Sequence, residues 1–158
     1  PLRRGVGCML VNNENKVFVG KRIDNQSEAW QMPQGGIEEN EDASIAIARE
    51  LEEETSVINA TIIAETKNWL EYELPEYLIG RVWGGKYRGQ TQKWFLMKFD
   101  KFKSFINVAT PKPEFSQWKW VDIDQLPDVI VPFKRDLYLQ IIEEFKPILQ
   151  NIYTDVDK

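Results

Sequence analysis

The segment 35–57, GGIEENEDASIAIARELEEETSV, predicts a helix whose acidic side chains lie beside its buried face. At about 100° per residue, Glu53 and Glu54 lie within about 60° of Glu50, one turn along the helix. The apolar stripe that begins at Ala43 projects into the same sector as Glu50 and Glu54. Acidic helix faces are usually only solvated, but carboxylates beside a core are normally protonated, paired or bound to a cation. The segment therefore predicts a helix over about 42–55 that carries a shell for Mg²⁺ or Mn²⁺.

The chain has no histidine and a single cysteine, Cys8. Without histidine, Ser-His-Asp and Cys-His nucleophilic schemes and histidine general bases are excluded, and one thiol cannot complete an ordinary structural zinc site. Carboxylate, lysine, tyrosine or hard-metal chemistry remains. Cys8 lies in the apolar run 6–11 and is predicted to be a core residue rather than a reactive thiol. A thiol without an intramolecular partner is typical of a reducing cytoplasm.

The 158 residues, of which 42% are hydrophobic, fit one domain over 1–150 followed by a loose C-terminal tail over 151–158. No apolar run approaches the roughly 18 residues of a membrane span, and no charged-then-apolar leader precedes the first strand, so we expect a soluble cytoplasmic protein. The net charge of −5 argues against coating of long nucleic acid, where many Lys and Arg side chains contact phosphates. A short anionic ligand held through metal ions remains compatible.

Hydrophobic patterning predicts an α/β fold in which helices cover both faces of a mixed β-sheet, an α/β/α sandwich. The first two strands, 6–11 and 16–21, form a hairpin around the turn 12–15. The sequence WQMPQGG at 30–36 is expected to be an ordered turn that leads into the acidic helix. Further strands are predicted at 61–66, 77–83, 91–99 and 118–121. A last helix over 133–149 has a buried stripe of Phe133, Leu137, Ile141 and Phe145, and Pro147 is expected to fray its end.

The spacing of the acidic segment resembles the Nudix box of the Nudix hydrolase superfamily. Gly35 is followed after five residues by Glu41, and after seven more by the sequence Arg49-Glu50-Leu51-x-Glu53-Glu54. One position departs, because Ser56 stands where the family usually has glycine. A non-glycine residue in a left-handed helix exit costs about 1 kcal/mol, so we expect a changed exit from the helix with activity retained.

Five further motifs resemble one branch of that superfamily, the bacterial RNA 5′-pyrophosphohydrolases and the similar dinucleoside polyphosphate hydrolases. The motifs are WQMPQGG, NWLEYELP at 68–75, GQTQKWF at 89–95, PEF at 113–115 with Trp118 and Trp120, and PFKRD at 132–136. The resemblance implies a Nudix fold and Mg²⁺-dependent removal of pyrophosphate from triphosphorylated RNA, a reaction of mRNA decay. The alternative that it implies is asymmetric hydrolysis of dinucleoside polyphosphates such as diadenosine tetraphosphate or pentaphosphate, and no residue separates the two substrates.

The resemblance also assigns site residues. Glu50, Glu53, Glu54 and Glu114 are the expected metal ligands, with a carbonyl of the turn 34–36 joining them. Glu53 is favoured as general base with Glu114 as competitor, while Arg49 is expected to orient a neighbouring carboxylate and Glu41 to support the loop. The expected substrate contacts are Arg3, Arg22, Gln34, Tyr72, Gln90, Lys93, Phe133 and Lys134.

Two other classes of function share the box. A nucleotide sensor that does not hydrolyse its ligand would lack one or more box acids, and all of them are present here. An enzyme that hydrolyses oxidised nucleoside triphosphates would share the box but not the flanking motifs. The sequence indicates no membrane association, and it leaves protein partners open.

Overall fold

A computed structural model describes residues 1–23 and 28–156, with side chains described as far as Asn151. Its eight strands are β1 Leu2–Val11, β2 Val17–Arg22, β3 Trp30–Gln31, β4 Gln34–Gly36, β5 Thr61–Glu65, β6 Leu70–Glu73, β7 Gly89–Lys98 and β8 Phe115–Val121. Its α-helices are α1 Ala43–Thr55, α2 Leu126–Val129 and α3 Arg135–Val156, and 3₁₀ turns lie at Trp83–Gly85, Ile123–Gln125 and Pro132–Lys134. None of the helices in this part of the chain is long and apolar enough to cross a membrane.

All eight strands belong to one mixed sheet, which confirms the predicted fold class. Strands β1 and β7 run parallel over ten residue pairs, from Leu2 with Gly89 to Val11 with Lys98. The predicted hairpin of β1 and β2 is present, but the two strands pair only at Val11 and Val17. Beyond that pair they separate, and β2 pairs antiparallel with β8 instead.

The WQMPQGG segment fills the gap between the two separating strands. Its β3 half pairs with β2, while its β4 half pairs antiparallel with β1 through Gly5 and Gly36. The backbone between the halves is also engaged, because the N–H of Cys8 donates to the carbonyl of Pro33 at 2.9 Å. The predicted ordered turn is thus two short strands. They place Gly35 and Gly36 where β1 and β2 separate, and this place is called here the opening in the sheet.

Helices cover both faces of the sheet, as an α/β/α sandwich requires. On one face, Ala46, Ile47 and Leu51 of α1 pack in a cluster with Phe95 and other apolar side chains of the sheet. On the other face, α3 contributes a buried row to a second cluster that contains Trp94. That row is Leu137, Tyr138, Ile141, Phe145 and Leu149. Complete burial of one such side chain contributes about 1.5 to 3 kcal/mol, so each helix is held mainly by its apolar stripe.

Several predicted elements need correction. Residues 77–83 form successive turns rather than a strand, and the strand in this region is β6, Leu70–Glu73. Helix α3 begins at Arg135, so Phe133 lies in the preceding 3₁₀ turn, half-buried, while the rest of the predicted stripe is buried as expected. The helical backbone extends to Val156, into the segment expected to be a tail, and the division of the chain into a domain and a tail stays a prediction. Pro147 is tolerated inside α3 because Phe145 and Leu149 on either side of it remain buried.

Candidate active site

Helix α1 buries the carboxylate of Glu54 beside the opening in the sheet. The residue is only 4% exposed, and its Oε2 atom has no hydrogen-bond partner within residues 1–23 and 28–156. Burial raises the pKa of Glu54 well above its usual range, and the charges of Glu50 and Glu114 raise it further, while Arg22 and a hydrogen bond from the backbone of Gln34 oppose the shift. An unpaired buried oxygen carries a desolvation cost that a bound cation would offset.

Glu50 lies directly against the backbone of Gly35. A Cβ atom on Gly35 would come within 2.1 Å of the Glu50 Cδ atom, so only glycine allows this approach. Burial raises the pKa of Glu50, and the hydrogen bond from Arg49 acts in the opposite direction. A larger residue at Gly35 would therefore displace the Glu50 carboxylate from its present position.

Arg49 connects the loop before α1 to the acidic face of the helix. Its Nε and Nη2 atoms donate to the two carboxylate oxygens of Glu41, at 2.8 and 2.9 Å, and Nη1 donates to Glu50 at 2.9 Å. Nη2 also donates to the carbonyl of Gly36 at 2.9 Å. The bonds that Glu41 accepts from Arg49 and from the backbone N–H of Glu38 lower the pKa of Glu41 to about 2. The guanidinium fork is occupied by protein atoms, an arrangement suited to positioning Glu50.

Glu53 has a different environment from its two neighbours. Its side chain is 57% exposed, it lies 3.4 Å from Nη1 of Arg49, and it lines a surface cavity of about 670 Å³ together with Ser56 and Thr110. Within the described ranges, no three carboxylate or thiol groups converge closely enough to hold one metal ion. The three box glutamates share a helix sector, but one is solvated, one is hydrogen-bonded to Arg49 and one is buried. The metal shell inferred from the sequence remains a prediction.

Strand pairing brings Glu114 and Arg22 to the same place. Arg22 is paired with Phe115 across β2 and β8, and the N–H of Ile23 donates to the Glu114 carbonyl at 2.9 Å. The Arg22 Nη2 atom lies 4.0 Å from Oε2 of Glu114. Since the charges of both residues act on the pKa of Glu54, this distant pair belongs to the site around α1.

A network of buried amides forms the other wall of the opening. Gln90 donates from Nε2 to the Tyr72 hydroxyl at 2.6 Å and to Oε1 of Gln34 at 3.1 Å, and it accepts a bond from Nη1 of Arg3 at 3.1 Å. Gln92 also donates to Oε1 of Gln34, at 2.9 Å. Sequence reasoning missed Gln92. Its position two residues after Gln90 on one strand face is the signal that could have identified it.

Tyr72 and Phe133 form an aromatic pair next to this network, with ring centroids 6.0 Å apart and planes inclined by 40°. The Lys134 Nζ atom lies 5.2 Å from the centroid of the Tyr72 ring. Lys134 is buried, and desolvation together with the charge of Arg22 lowers its pKa to about 8, against the opposing effect of Glu54. A cation and aromatic faces are thus adjacent to the acidic helix.

Lys93 is the predicted contact residue that does not join this group. It lies on β7 between Gln92 and Trp94, so its side chain points to the opposite face of the sheet. Its Nζ atom donates to the carbonyls of Thr66, at 2.6 Å, and Lys67, at 3.3 Å. The structure therefore brings together Arg3, Arg22, Gln34, Tyr72, Gln90, Phe133 and Lys134, but Lys93 is engaged by the backbone that follows β5.

Comparison with known proteins relates this arrangement to hydrolases. The NUDIX domain family model matches residues 1–141. An RNA pyrophosphohydrolase of Pelagibacter ubique is 52% identical over 149 residues, which cover 94% of this chain and 94% of that protein. An RNA pyrophosphohydrolase of Rickettsia bellii is 49% identical over 150 residues, covering 95% of this chain and 93% of that protein.

Two solved structures have a similar fold at low sequence identity. Escherichia coli dihydroneopterin triphosphate pyrophosphohydrolase superimposes with a TM-score of 0.68 at 20% identity, over 88% of this chain and 95% of that chain. A binary complex of Caenorhabditis elegans Ap4A hydrolase gives a TM-score of 0.67 at 18% identity, over 95% of this chain and 99% of that chain. At such identities the likeness concerns the fold alone.

Proposed function

The chain belongs to the NUDIX domain family, and we infer that it removes pyrophosphate from the 5′ end of triphosphorylated RNA. The observation that carries this inference is the identity of about half of all aligned residues to two RNA pyrophosphohydrolases, over more than nine tenths of both lengths. One water is consumed at the anhydride bond between the α and β phosphates. The products are pyrophosphate and RNA with a 5′ monophosphate, and we propose that the reaction is a step of mRNA decay in the cytoplasm.

The donor atoms of the site fit a hard divalent cation. The unpartnered Oε2 atom of Glu54 is a buried oxygen that requires positive charge, and the chain has no histidine to favour a softer metal. We propose that Glu50, Glu53, Glu54 and Glu114 hold Mg²⁺, which Mn²⁺ would replace. The bound cation would neutralise phosphate charge and lower the pKa of water at the reacting phosphorus.

The remaining residues would prepare the reacting groups. Glu53 is the exposed carboxylate of the acidic face, so water can reach it directly, and we propose it as the general base. Arg49 would hold Glu50 in place, since its other bonds to Glu41 and Gly36 fix the guanidinium. Glu114, on the far side of the opening, is the competing base. Comparison of kcat for Glu53→Gln and Glu114→Gln can show which of the two residues acts as the base.

Substrate binding would use the opposite wall. Base stacking on Phe133 and Tyr72 contributes about 1 to 3 kcal/mol per base and tolerates sequence, which suits an enzyme that reads the first nucleotides loosely. Arg3, Arg22 and Lys134 would contact phosphates, and Gln34 and Gln90 would donate or accept hydrogen bonds through their amides. Lys93 would have to leave the carbonyls of Thr66 and Lys67 to take part.

Dinucleoside polyphosphates are the competing substrate class. The likeness to Ap4A hydrolase is limited to the fold at 18% identity, whereas the two RNA pyrophosphohydrolases are related over the whole sequence. We therefore expect kcat/KM to be higher on triphosphorylated RNA than on diadenosine tetraphosphate. Measurement of both substrates under the same Mg²⁺ concentration decides between the two activities.

The direct test incubates triphosphorylated RNA with the protein and Mg²⁺ and follows release of pyrophosphate. Glu53→Gln is expected to lower kcat by about 100-fold or more, as loss of a general base commonly does. The matched control is Glu143→Gln, because Glu143 is an exposed glutamate on α3 and should leave kcat within about twofold. Absence of pyrophosphate at high enzyme concentration would refute the proposed function, and full activity of Glu53→Gln would refute the role of Glu53.

A further inference from the structure

The segment 77–88, YLIGRVWGGKYR, is basic, whereas the protein as a whole is acidic. It contains three basic residues and no acidic residue, although the whole protein has 25 acidic residues and 20 basic ones. Four of its side chains, Arg81, Trp83, Lys86 and Tyr87, are named here the basic-aromatic ridge. Arg81 and Lys86 are exposed, while Trp83 and Tyr87 are half-buried.

The ridge is an ordered structure built from successive turns. The N–H of Arg81 donates to the carbonyl of Leu78 at 3.0 Å, and the N–H of Gly85 donates to that of Val82 at 2.9 Å. Trp83 has φ of 53°, a left-handed conformation that side chains rarely adopt. Its ring packs against the core cluster below α3 and contacts Tyr87 edge-on, with centroids 6.3 Å apart. A strained backbone that presents a tryptophan near a site is a pattern associated with binding.

Arg3 connects the ridge to the active site. Its guanidinium carbon lies 5.3 Å from the centroid of the Trp83 ring, and its Nη1 atom donates to Gln90. The same guanidinium lies against Gly36, where an added Cβ would come within 2.4 Å of Nη2. The indole of Trp83 is therefore separated from Gly36 only by the side chain of Arg3. A polymer that leaves the opening in the sheet on this side would meet Trp83 first.

The positive charges of the ridge are available to an anion. No carboxylate in the described part of the chain lies within ion-pair distance of Arg81 or Lys86, whereas Arg88 is bonded to Glu73 at 3.1 Å. Exposed cations that neighbour aromatic residues along the chain are the chemistry that binds single-stranded nucleic acid, since phosphates contact the cations and bases stack on the rings. Duplex binding would require a longer basic surface, and the net charge of −5 opposes it.

We propose that the basic-aromatic ridge binds the single-stranded RNA that follows the first nucleotides of the substrate. This inference rests on the proposed function for the position of the 5′ end. The ridge then acts as an extension of the active site that favours longer, unpaired RNA over short fragments. It would contribute to substrate affinity and leave the chemical step unchanged.

The test compares two triphosphorylated RNAs that share their first two nucleotides, one of two nucleotides and one of eight unstructured nucleotides. The double variant Arg81→Ser/Lys86→Ser is expected to lower kcat/KM on the octamer by about fivefold to twentyfold through KM, and to leave the dinucleotide within about twofold. Loss of two phosphate contacts should also reduce the slope of log affinity against log salt by about 1.4. The matched control is Lys101→Ser/Lys103→Ser, which removes two exposed lysines from the loop after β7 and should affect neither RNA.

Binding measured without catalysis separates this proposal from the proposed function. Fluorescence anisotropy of an octamer with a 5′ hydroxyl should show weaker binding by Arg81→Ser/Lys86→Ser and unchanged binding by the control variant. If neither triphosphorylated RNA is hydrolysed but octamer binding still depends on the ridge, the proposed function is refuted and the RNA-binding role of the ridge is supported. The proposed role of the ridge would be refuted by equal losses of kcat/KM on both RNA lengths or by no loss on either. The same loss in the control variant would also refute it. Circular dichroism and thermal midpoints verify that each variant is folded.

Discussion

Ser56 occupies the position at which the acidic helix ends, and its conformation differs from the expectation. Its φ of 69° and ψ of 1° are left-handed, and its N–H donates to the carbonyl of Glu52, as a glycine at this position would do. The predicted change of helix exit is therefore wrong. The Ser56 hydroxyl donates to the carbonyl of Asn107 at 2.7 Å, which ties the loop before Glu114 to the end of α1. This bond offsets the unfavourable backbone conformation.

Substitution of Ser56 can separate the stabilising hydrogen bond to Asn107 from the destabilising left-handed backbone conformation. Ser56→Ala keeps the Cβ atom in the left-handed conformation and loses the hydrogen bond, so the free energy of unfolding should fall by about 1 kcal/mol. Ser56→Gly loses the same bond but relieves the backbone, so its effect should be smaller than that of alanine. Urea denaturation of the three proteins measures both differences. A glycine variant less stable than the alanine variant would contradict this account.

Strand β1 is the element that both helical layers share, and its pairing determines the behaviour of Cys8. The strand pairs with β7 along one edge and with β4 and β2 along the other. Cys8 is fully buried, as predicted, and burial raises the pKa of its thiol, with a smaller contribution from the charge of Glu54. A thiol that is both inaccessible and protonated does not react as a nucleophile.

We expect Cys8 to be modified by a disulfide reagent such as DTNB only when β1 separates from its neighbours. Without denaturant the thiol should remain unreacted for hours, and the urea dependence of its reaction should follow that of global unfolding, because core strands open only with the whole domain. The control is a Cys8→Ala/Lys112→Cys variant, whose exposed thiol should react at once. Native Cys8 reacting as fast as this control would show that β1 opens locally.

Local and non-local features differ in how far the sequence could predict them. Helix α1 and its carboxylates follow from helical periodicity, and the bounds of 42–55 agree with Ala43–Thr55 and its N-cap Asp42. The segment 77–83 has β-forming residues, but Gly80 and the paired glycines after Trp83 adopt positive φ, and turn chemistry prevails. The splitting of WQMPQGG between β1 and β2 depends on strands that meet only in the folded sheet. No local pattern encodes that pairing.

The same distinction applies to the active site. Arg49 and Glu41 lie only eight residues apart, and their contact forms within the box and the helix that follows it. The opposite wall joins Gln34 to Gln90 and Gln92, whose contact depends on the pairing of β1 with both β4 and β7. Lys93 illustrates the consequence, because a shift of one residue along β7 places its side chain on the opposite face from the amides. The resemblance identified the motif that contains Lys93, but it did not indicate on which face of the sheet the Lys93 side chain lies.

At the scale of the whole molecule, the α1 and α3 layers of the sandwich interact electrostatically through Lys134, because the charge of Glu54 on α1 acts on the pKa of this lysine. This buried lysine ends the 3₁₀ turn before α3, and its pKa is lowered to about 8 from the ordinary 10.5 by desolvation and the charge of Arg22. The folded protein therefore binds a proton at Lys134 less strongly than the unfolded chain does. Below pH 8 both states are protonated and folding bears the full cost of burying the charge. Between pH 8 and 10.5 the unfolded state holds more protons, so this group's contribution to stability increases with pH.

Replacement of Lys134 by methionine should remove that cost, since methionine keeps an unbranched apolar chain of similar length. Near pH 7 we expect Lys134→Met to unfold with a free energy about 1 to 3 kcal/mol higher than that of the unmodified protein. The advantage should shrink as the pH rises toward 10. Urea denaturation at several pH values measures the difference, with Lys112→Met as the control because Lys112 is exposed. A constant advantage across this range would mean that shape, rather than charge, determines the effect. Because the proposed site uses Lys134 to contact phosphate, the more stable variant should also have a higher KM on triphosphorylated RNA, as expected where function is retained at the expense of stability.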